Sequence, residues 1–173
     1  SKILNSTKNK LILKTSSSDD FDNSKKNILE KFSKYNVNLE QINILKKVEN
    51  FDDHLELYNK IDLALDTFPY PGVTTTFEAV LMGVPVLTMK GYNFNSRCGE
   101  SINKNLNLKD LIAADYEDYV NRAINFTKDK NLLEKINGNT LREISLNSHL
   151  FDTSKFTINF EKILEEIFIQ FYK

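Results

Sequence analysis

DTFPYPGVTTTFEAVLMGVP, residues 66–85, decides how this chain is read. All three prolines of the chain lie inside it, and Pro69 and Pro71 bar a regular element between Asp66 and Gly72. The apolar run IDLALD (61–66) ends at Asp66 and reads as a strand. TTTFEAVLMG (74–83) reads as a helix that stops at Gly83-Val84-Pro85. PVLTMK (85–90) is apolar again and reads as a second strand. Strand, loop, helix and strand in this order form one α/β unit. The question left by the stretch is why three hydroxyls stand together where a strand hands over to a helix.

The same alternation extends upstream. LILK (11–14) is a strand between turn signals, and TSSSDDFDNS (15–24) is a polar loop. KKNILEKFSKY (25–35) places Ile28, Leu29 and Phe32 at helical spacing. INILKKV (42–48) is a further strand, and DDHLELYNK (52–60) a short helix capped by Asp52 or Asp53. Runs 61–66 and 85–89 are mostly apolar on both faces, as central parallel strands are. The pattern is that of a doubly wound α/β fold.

Beyond residue 90 the reading turns mainly helical. GYNFNSRCGES leads into a helix near 97–106, and helices follow near 115–128, 130–144 and 153–171. The last carries Phe156, Phe160, Ile163, Leu164, Ile167 and Phe171 on one stripe, which needs a cover from this domain or a neighbour. The expectation is one domain over 1–173, with an α/β core over about 1–90, a mainly helical part over 91–173 and a closing helix at 153–171. The opening SKILNSTKNK has no Met, and Ile3 and Leu4 read as the end of a helix, so the natural N-terminus is expected upstream.

Composition narrows the function. The chain has 173 residues, 40% hydrophobic and 27% charged, with a net charge of −1, and lysines alternate with acids throughout. No basic face stands out and arginine is scarce, so a nucleic-acid partner is not expected. One cysteine, Cys98, makes no internal disulfide, which points to a reducing, cytoplasmic setting. With no cysteine pair and two distant histidines, no zinc site is expected. Apolar runs are broken by charges, and no signal peptide or membrane span is read.

In open α/β sheets ligands bind beyond the carboxyl ends of the strands. Asp66 marks such an end, and the helix starting near Thr74 offers free N–H groups and a partial positive charge. Such a terminus suits phosphate. Pro71-Gly72 supplies the sharp turn, and hydroxyls of Thr74, Thr75 and Thr76 are candidate phosphate donors. The plainer reading is capping, which uses one Thr and contributes roughly 1 kcal/mol; from chemistry alone the two readings weigh equally. Glu78, one turn on, suits a ribose diol, or else simply a helix dipole. His54, near the start of its helix, suits a base or nucleotide contact, or plain surface placement. Arg97 suits a phosphate clamp or a loop tie. His149 and Cys98 read as structural. Asp19-Asp20 and Asp52-Asp53 are adjacent loop acids rather than an Asp-x-Asp metal pair, so no metal is expected.

DHLELYNKIDLALDTFPYPGVTTTFEAVLMGVPVLTMKGYNFNSRCGESI resembles the carboxyl-terminal lobe of the O-linked N-acetylglucosamine transferase (SPINDLY-like) glycosyltransferases. NSHLFDTSKFTINFEKILEEIF is similar to the family's closing segment, and the likeness spans about residues 42 to 171. It implies a Rossmann-like C-terminal lobe of a GT-B enzyme, with a mostly parallel sheet flanked by helices. The donor implied is a UDP-sugar, chiefly UDP-N-acetylglucosamine, with UDP-glucose or GDP-fucose in some relatives. The acceptor implied is a protein Ser or Thr hydroxyl, or Asn in a distant branch. An N-terminal lobe and tetratricopeptide repeats are implied as further parts.

By position, the resemblance puts Thr74 and Thr75 on the diphosphate pair, with Val73 and Gly72 just before and Thr76 just after. Glu78 falls on the acid that holds the ribose, and His54 on a histidine near the uracil. The backbone of Val48 and Glu49 lines the base pocket. Leu57 and Phe51 depart from the animal enzymes, which carry basic residues there. The family's first strand and the diphosphate lysine after it have no counterpart here, so this chain alone is expected to be inactive. In the order 3-2-1-4-5-6 that strand lies between LILK and IDLALD; without it those strands close up, the sheet splits, or another chain fills the gap. Two other functions stay open: a UDP-sugar epimerase or other GT-B enzyme, and a non-catalytic lobe that binds a nucleotide sugar or a partner.

Overall fold

A computed structural model describes residues 1–15, 20–129, 136 and 138–172. The chain opens with α1 (Lys2–Ser6), β1 (Leu11–Lys14), α2 (Phe21–Ser33), β2 (Ile42–Leu45) and α3 (Phe51–Glu56). It continues with β3 (Ala64–Leu65), α4 (Thr74–Leu81), β4 (Val86–Met89), α5 (Cys98–Asn105) and β5 (Ile112–Ala113). Helices α6 (Tyr116–Lys128), α7 (Gly138–Leu146) and α8 (Thr153–Phe171) follow. This is the expected α/β alternation of parallel strands and helices. The expected helix 130–144 is described only in part, since 130–135 and 137 lie outside the described residues, as do 16–19 of the first loop.

Among the described residues every strand pair is parallel, and the sheet splits. β1 pairs with β2, Leu11 opposite Ile42, while β3, β4 and β5 form a separate three-stranded sheet in that order. Of the three outcomes open at the sequence level, the split is the one observed. It also corrects the expectation that 61–66 is a central strand. β3 pairs with β4 alone among the described residues, and Leu65 is 37% exposed. The central strand is β4, whose Val86, Leu87 and Thr88 are all buried. β3 is short in its ladder, yet Asp66 N–H still donates to Leu87 O at 2.9 Å, so Asp66 sits at a true carboxyl edge.

Strand β5 lies in the part read as mainly helical. Two residues are too few for a period-2 signal, and only pairing with Thr88 and Met89 makes them a strand. Asn103 fixes this edge from α5: its Nδ2 donates to Val86 O at 2.8 Å and Leu111 O at 3.2 Å.

The main core gathers Val80, Leu87, Ile102, Leu111, Phe126 and Leu141 between the three-stranded sheet and its helices. α4 buries Thr76, Ala79 and Val80 on one face. It ends in a Schellman motif: Gly83 takes φ +78°, Gly83 N–H donates to Val80 O, and Val84 N–H donates to Ala79 O. A Cβ at Gly83 would strike the Gly138 backbone, so glycine is required where α4 meets α7. The predicted apolar stripe of α8 is present but uncovered among the described residues; Phe156 is 66% exposed and Ile163 54%. Among the described residues no helix is long and apolar enough to cross a membrane.

Candidate functional site

The loop between β3 and α4 is built around one carboxylate. Asp66 Oδ1 accepts the N–H of Gly72 at 2.7 Å and of Thr67 at 3.1 Å, and its Oδ2 accepts the Thr88 hydroxyl at 2.8 Å. Tyr119 closes the same turn by donating its hydroxyl to Asp66 O at 2.8 Å. Burial pushes the Asp66 carboxyl above its usual range, against the three donors that pull it down. The loop lies tight on its helix: a Cβ at Gly72 would meet the Thr75 and Thr76 hydroxyls.

The three threonines then divide. Thr76 is buried, and its hydroxyl donates to Gly72 O at 3.0 Å, so it braces the loop rather than facing solvent. Thr74 and Thr75 are exposed, and neither hydroxyl has a hydrogen-bond partner among the described residues. They do not cap the helix. Its N-cap position is Val73, which has no side-chain acceptor, whereas α3, α6 and α8 are capped by Asn50, Asp115 and Asp152. The backbone N–H groups of Thr74 and Thr75 also lack acceptors among the described residues, while those of Thr76 and Phe77 reach Val73 O. Two N–H groups and two hydroxyls thus stand open at a positive helix end, which is the chemistry of an anion site.

Glu78 lies one turn further along α4, mostly buried, where Oε2 accepts from His54 Nε2 at 2.9 Å and from the Tyr58 hydroxyl at 3.1 Å. The same Tyr58 proton is shared with Thr75 O at 3.2 Å. Burial, with the Glu78 charge beside it, drives the Tyr58 hydroxyl pKa far up, so it serves as a donor throughout the ordinary pH range. Asn50, not Asp52 or Asp53, caps the helix that carries His54, because the helix begins at Phe51, before the acidic pair. His54 and Glu78, read separately in the sequence, are therefore in direct contact.

Lys14, at the end of β1, was not singled out by sequence reasoning. Its Nζ lies 2.6 Å from His54 Nδ1, joining the two-stranded sheet to α3. The available signal was its place at the carboxyl end of a strand.

Other expected residues fall outside this cluster. β2 ends at Leu45, so Val48 and Glu49 lie in the loop beyond it rather than at the strand end; Glu49 is exposed, 3.9 Å from Lys47. Arg97 borders the groove beside α4, and among the described residues its guanidinium is held by a carboxylate rather than by a loop carbonyl. It pairs with Glu100, Nε to Oε2 at 3.0 Å, and Lys104 reaches the same buried carboxylate at 2.6 Å. A groove of about 590 Å³ runs from Val73 past Tyr92 and Phe94 to Lys104, beside the start of α4. A second groove, about 650 Å³, lies along α2 and away from these residues.

Comparison with known proteins bears on family and fold. Residues 21–160 match the model of glycosyl transferase family 41. The chain is 38% identical over 124 residues to a probable UDP-N-acetylglucosamine–peptide N-acetylglucosaminyltransferase SPINDLY of Solanum lycopersicum, covering 72% of this chain and 13% of that protein. The corresponding Petunia hybrida protein is 40% identical over 109 residues, covering 63% of this chain and 12% of that one. A mutant O-GlcNAc transferase of Thermobaculum terrenum superposes with a TM-score of 0.80 at 29% identity, over 91% of this chain and 30% of that one. The chain therefore spans only about an eighth of the curated relatives it matches. By the family model, by these identities and by its fold, this chain belongs to glycosyl transferase family 41.

Proposed function

We propose that this chain is the donor-binding lobe of a glycosyltransferase that moves N-acetylglucosamine from UDP-N-acetylglucosamine to Ser or Thr hydroxyls of proteins. The observation that carries the reading is the open end of α4, where the N–H groups and hydroxyls of Thr74 and Thr75 have no partner among the described residues. In the transfer, an acceptor hydroxyl oxygen forms a bond to the anomeric carbon, and the bond from that carbon to the diphosphate breaks. The electron pair leaves with the diphosphate, and the acceptor proton passes to a base. Negative charge grows on phosphate oxygens, and donors already in place stabilise it without reorganising. Thr74 and Thr75 fill that role in this reading; Glu78 holds the ribose, and His54 stands beside the base.

The relatives are named as peptide N-acetylglucosaminyltransferases, which favours transfer over epimerisation. In this reading the diphosphate is held by protein donors, without a metal. A facing lobe, tetratricopeptide repeats and a protein acceptor belong to the proposal as partners, and the exposed stripe of α8 offers a neighbour an apolar surface. A cytoplasmic location, resting on the single cysteine, is part of the same reading. Calorimetry with UDP, with and without a chelator, tests it. The expected result is binding with the same affinity in both; binding lost on chelation would contradict the metal-free reading.

A further inference from the structure

His54 is gripped from both sides. Lys14 Nζ stands 2.6 Å from Nδ1, and Glu78 Oε2 stands 2.9 Å from Nε2. An ammonium group only donates, so Nδ1 accepts and the neutral ring carries its proton on Nε2, where it is given to Glu78. Glu78 Oε2 thus receives two donors, His54 and Tyr58, while Oε1 has none among the described residues. Among those residues the one buried side-chain polar atom without a partner is Asn103 Oδ1, so Glu78 Oε1 opens to solvent. The result is a carboxylate with one oxygen locked inward and one free outward, beside the open end of α4.

We propose that Lys14 is a positioning residue of the nucleotide site: through the His54 tautomer it sets Glu78 so that its free oxygen meets a vicinal diol. This rests on the donor-binding reading above, which supplies the ribose as the diol. The charged and titratable groups around His54 are Lys14 on β1, Tyr58 after α3 and Glu78 on α4, and Lys47 beyond β2 acts on Lys14. Burial and the Lys47 charge lower the Lys14 ammonium pKa, and the Glu78 carboxylate raises it. A plain structural tie between the split sheets would need a cation at this point but would not depend on which ring nitrogen holds the proton.

The test combines ¹⁵N-histidine NMR with calorimetric titration by UDP and by inorganic pyrophosphate, on the unaltered chain, Lys14→Met and Lys14→Arg. The expected result is the Nε2–H tautomer in the unaltered chain and mixed tautomers in Lys14→Met. UDP affinity should fall about tenfold in Lys14→Met while pyrophosphate affinity changes by less than about twofold, and Lys14→Arg should restore both readouts. An unchanged tautomer in Lys14→Met overturns the proposal, and so does a changed tautomer with unchanged UDP affinity. If the unaltered chain shows the expected tautomer but binds neither UDP nor pyrophosphate, it is the nucleotide reading that fails.

Discussion

Asp66 Oδ1 accepts the Gly72 N–H at 2.7 Å, and this one bond shapes the turn that presents α4. It spends the Gly72 N–H on a protein carboxylate and leaves those of Thr74 and Thr75, the first two helical residues, for something else. It also draws Gly72 so close to α4 that a side chain there would meet the Thr75 and Thr76 hydroxyls. Gly72→Ala should therefore push the helix start away from its loop. UDP affinity is expected to fall by more than about tenfold while the far-ultraviolet dichroism keeps its helical signal. Unchanged affinity would mean that the close approach has no part in binding.

The threonines should separate by function. Thr75→Ala removes an exposed, unpartnered hydroxyl, so melting should shift little while UDP affinity drops roughly tenfold, as for one hydrogen bond to a charged ligand. Thr76→Val removes the brace to Gly72 O and should cost about 1 kcal/mol of stability, with the smaller effect on UDP. Denaturant melts and titrations on both variants decide it, and the opposite pattern would reverse the assignment.

Glu78→Ala should weaken UDP more than inorganic pyrophosphate, because only UDP brings a ribose to the carboxylate. Competition titrations compare the two. Equal losses, together with a lower melting point, would reveal a folding defect from the orphaned His54 donor, with Tyr58 left on Thr75 O alone.

Acid should loosen the α5 region through Glu100. Hydrogen bonds from Arg97, then Lys104, hold this buried carboxyl below its usual value of 4.5, despite an opposing effect of burial. The unfolded chain then binds the proton more readily, so stability from this group is present above pH 4.5 and is lost as pH falls through the lower folded value. Glu100→Gln should lose about 1–3 kcal/mol near neutrality, since the cations left behind are about half exposed. Its stability should also fall less steeply in acid than that of the unaltered chain, as read from urea melts at several pH values.

Much of this was legible in the residues. The run 61–90 shows strand, loop and helix because apolar composition, paired prolines and Gly83 each speak locally. Placement of Asp66 at a strand's carboxyl end follows from the same signals. What pairs with what is not local: the apolar run at 61–66 looks central, yet β3 has one partner because its other neighbour position is empty among the described residues. The inward turn of Thr76 could have been found, since Thr76, Ala79 and Val80 share one helical face. The Lys14–His54–Glu78 contacts could not, because they join three elements far apart in sequence through side chains whose spacing carries no period.

The central claim is that the open end of α4 is a phosphate cradle. Titrating the ¹⁵N-labelled chain with UDP and following its amides tests it most directly. The account predicts saturable shifts centred on Thr74, Thr75 and Glu78, with the Thr74 and Thr75 amides moving most. A folded chain whose α4 amides stay unmoved at millimolar UDP, roughly the weakest affinity of interest, would contradict it.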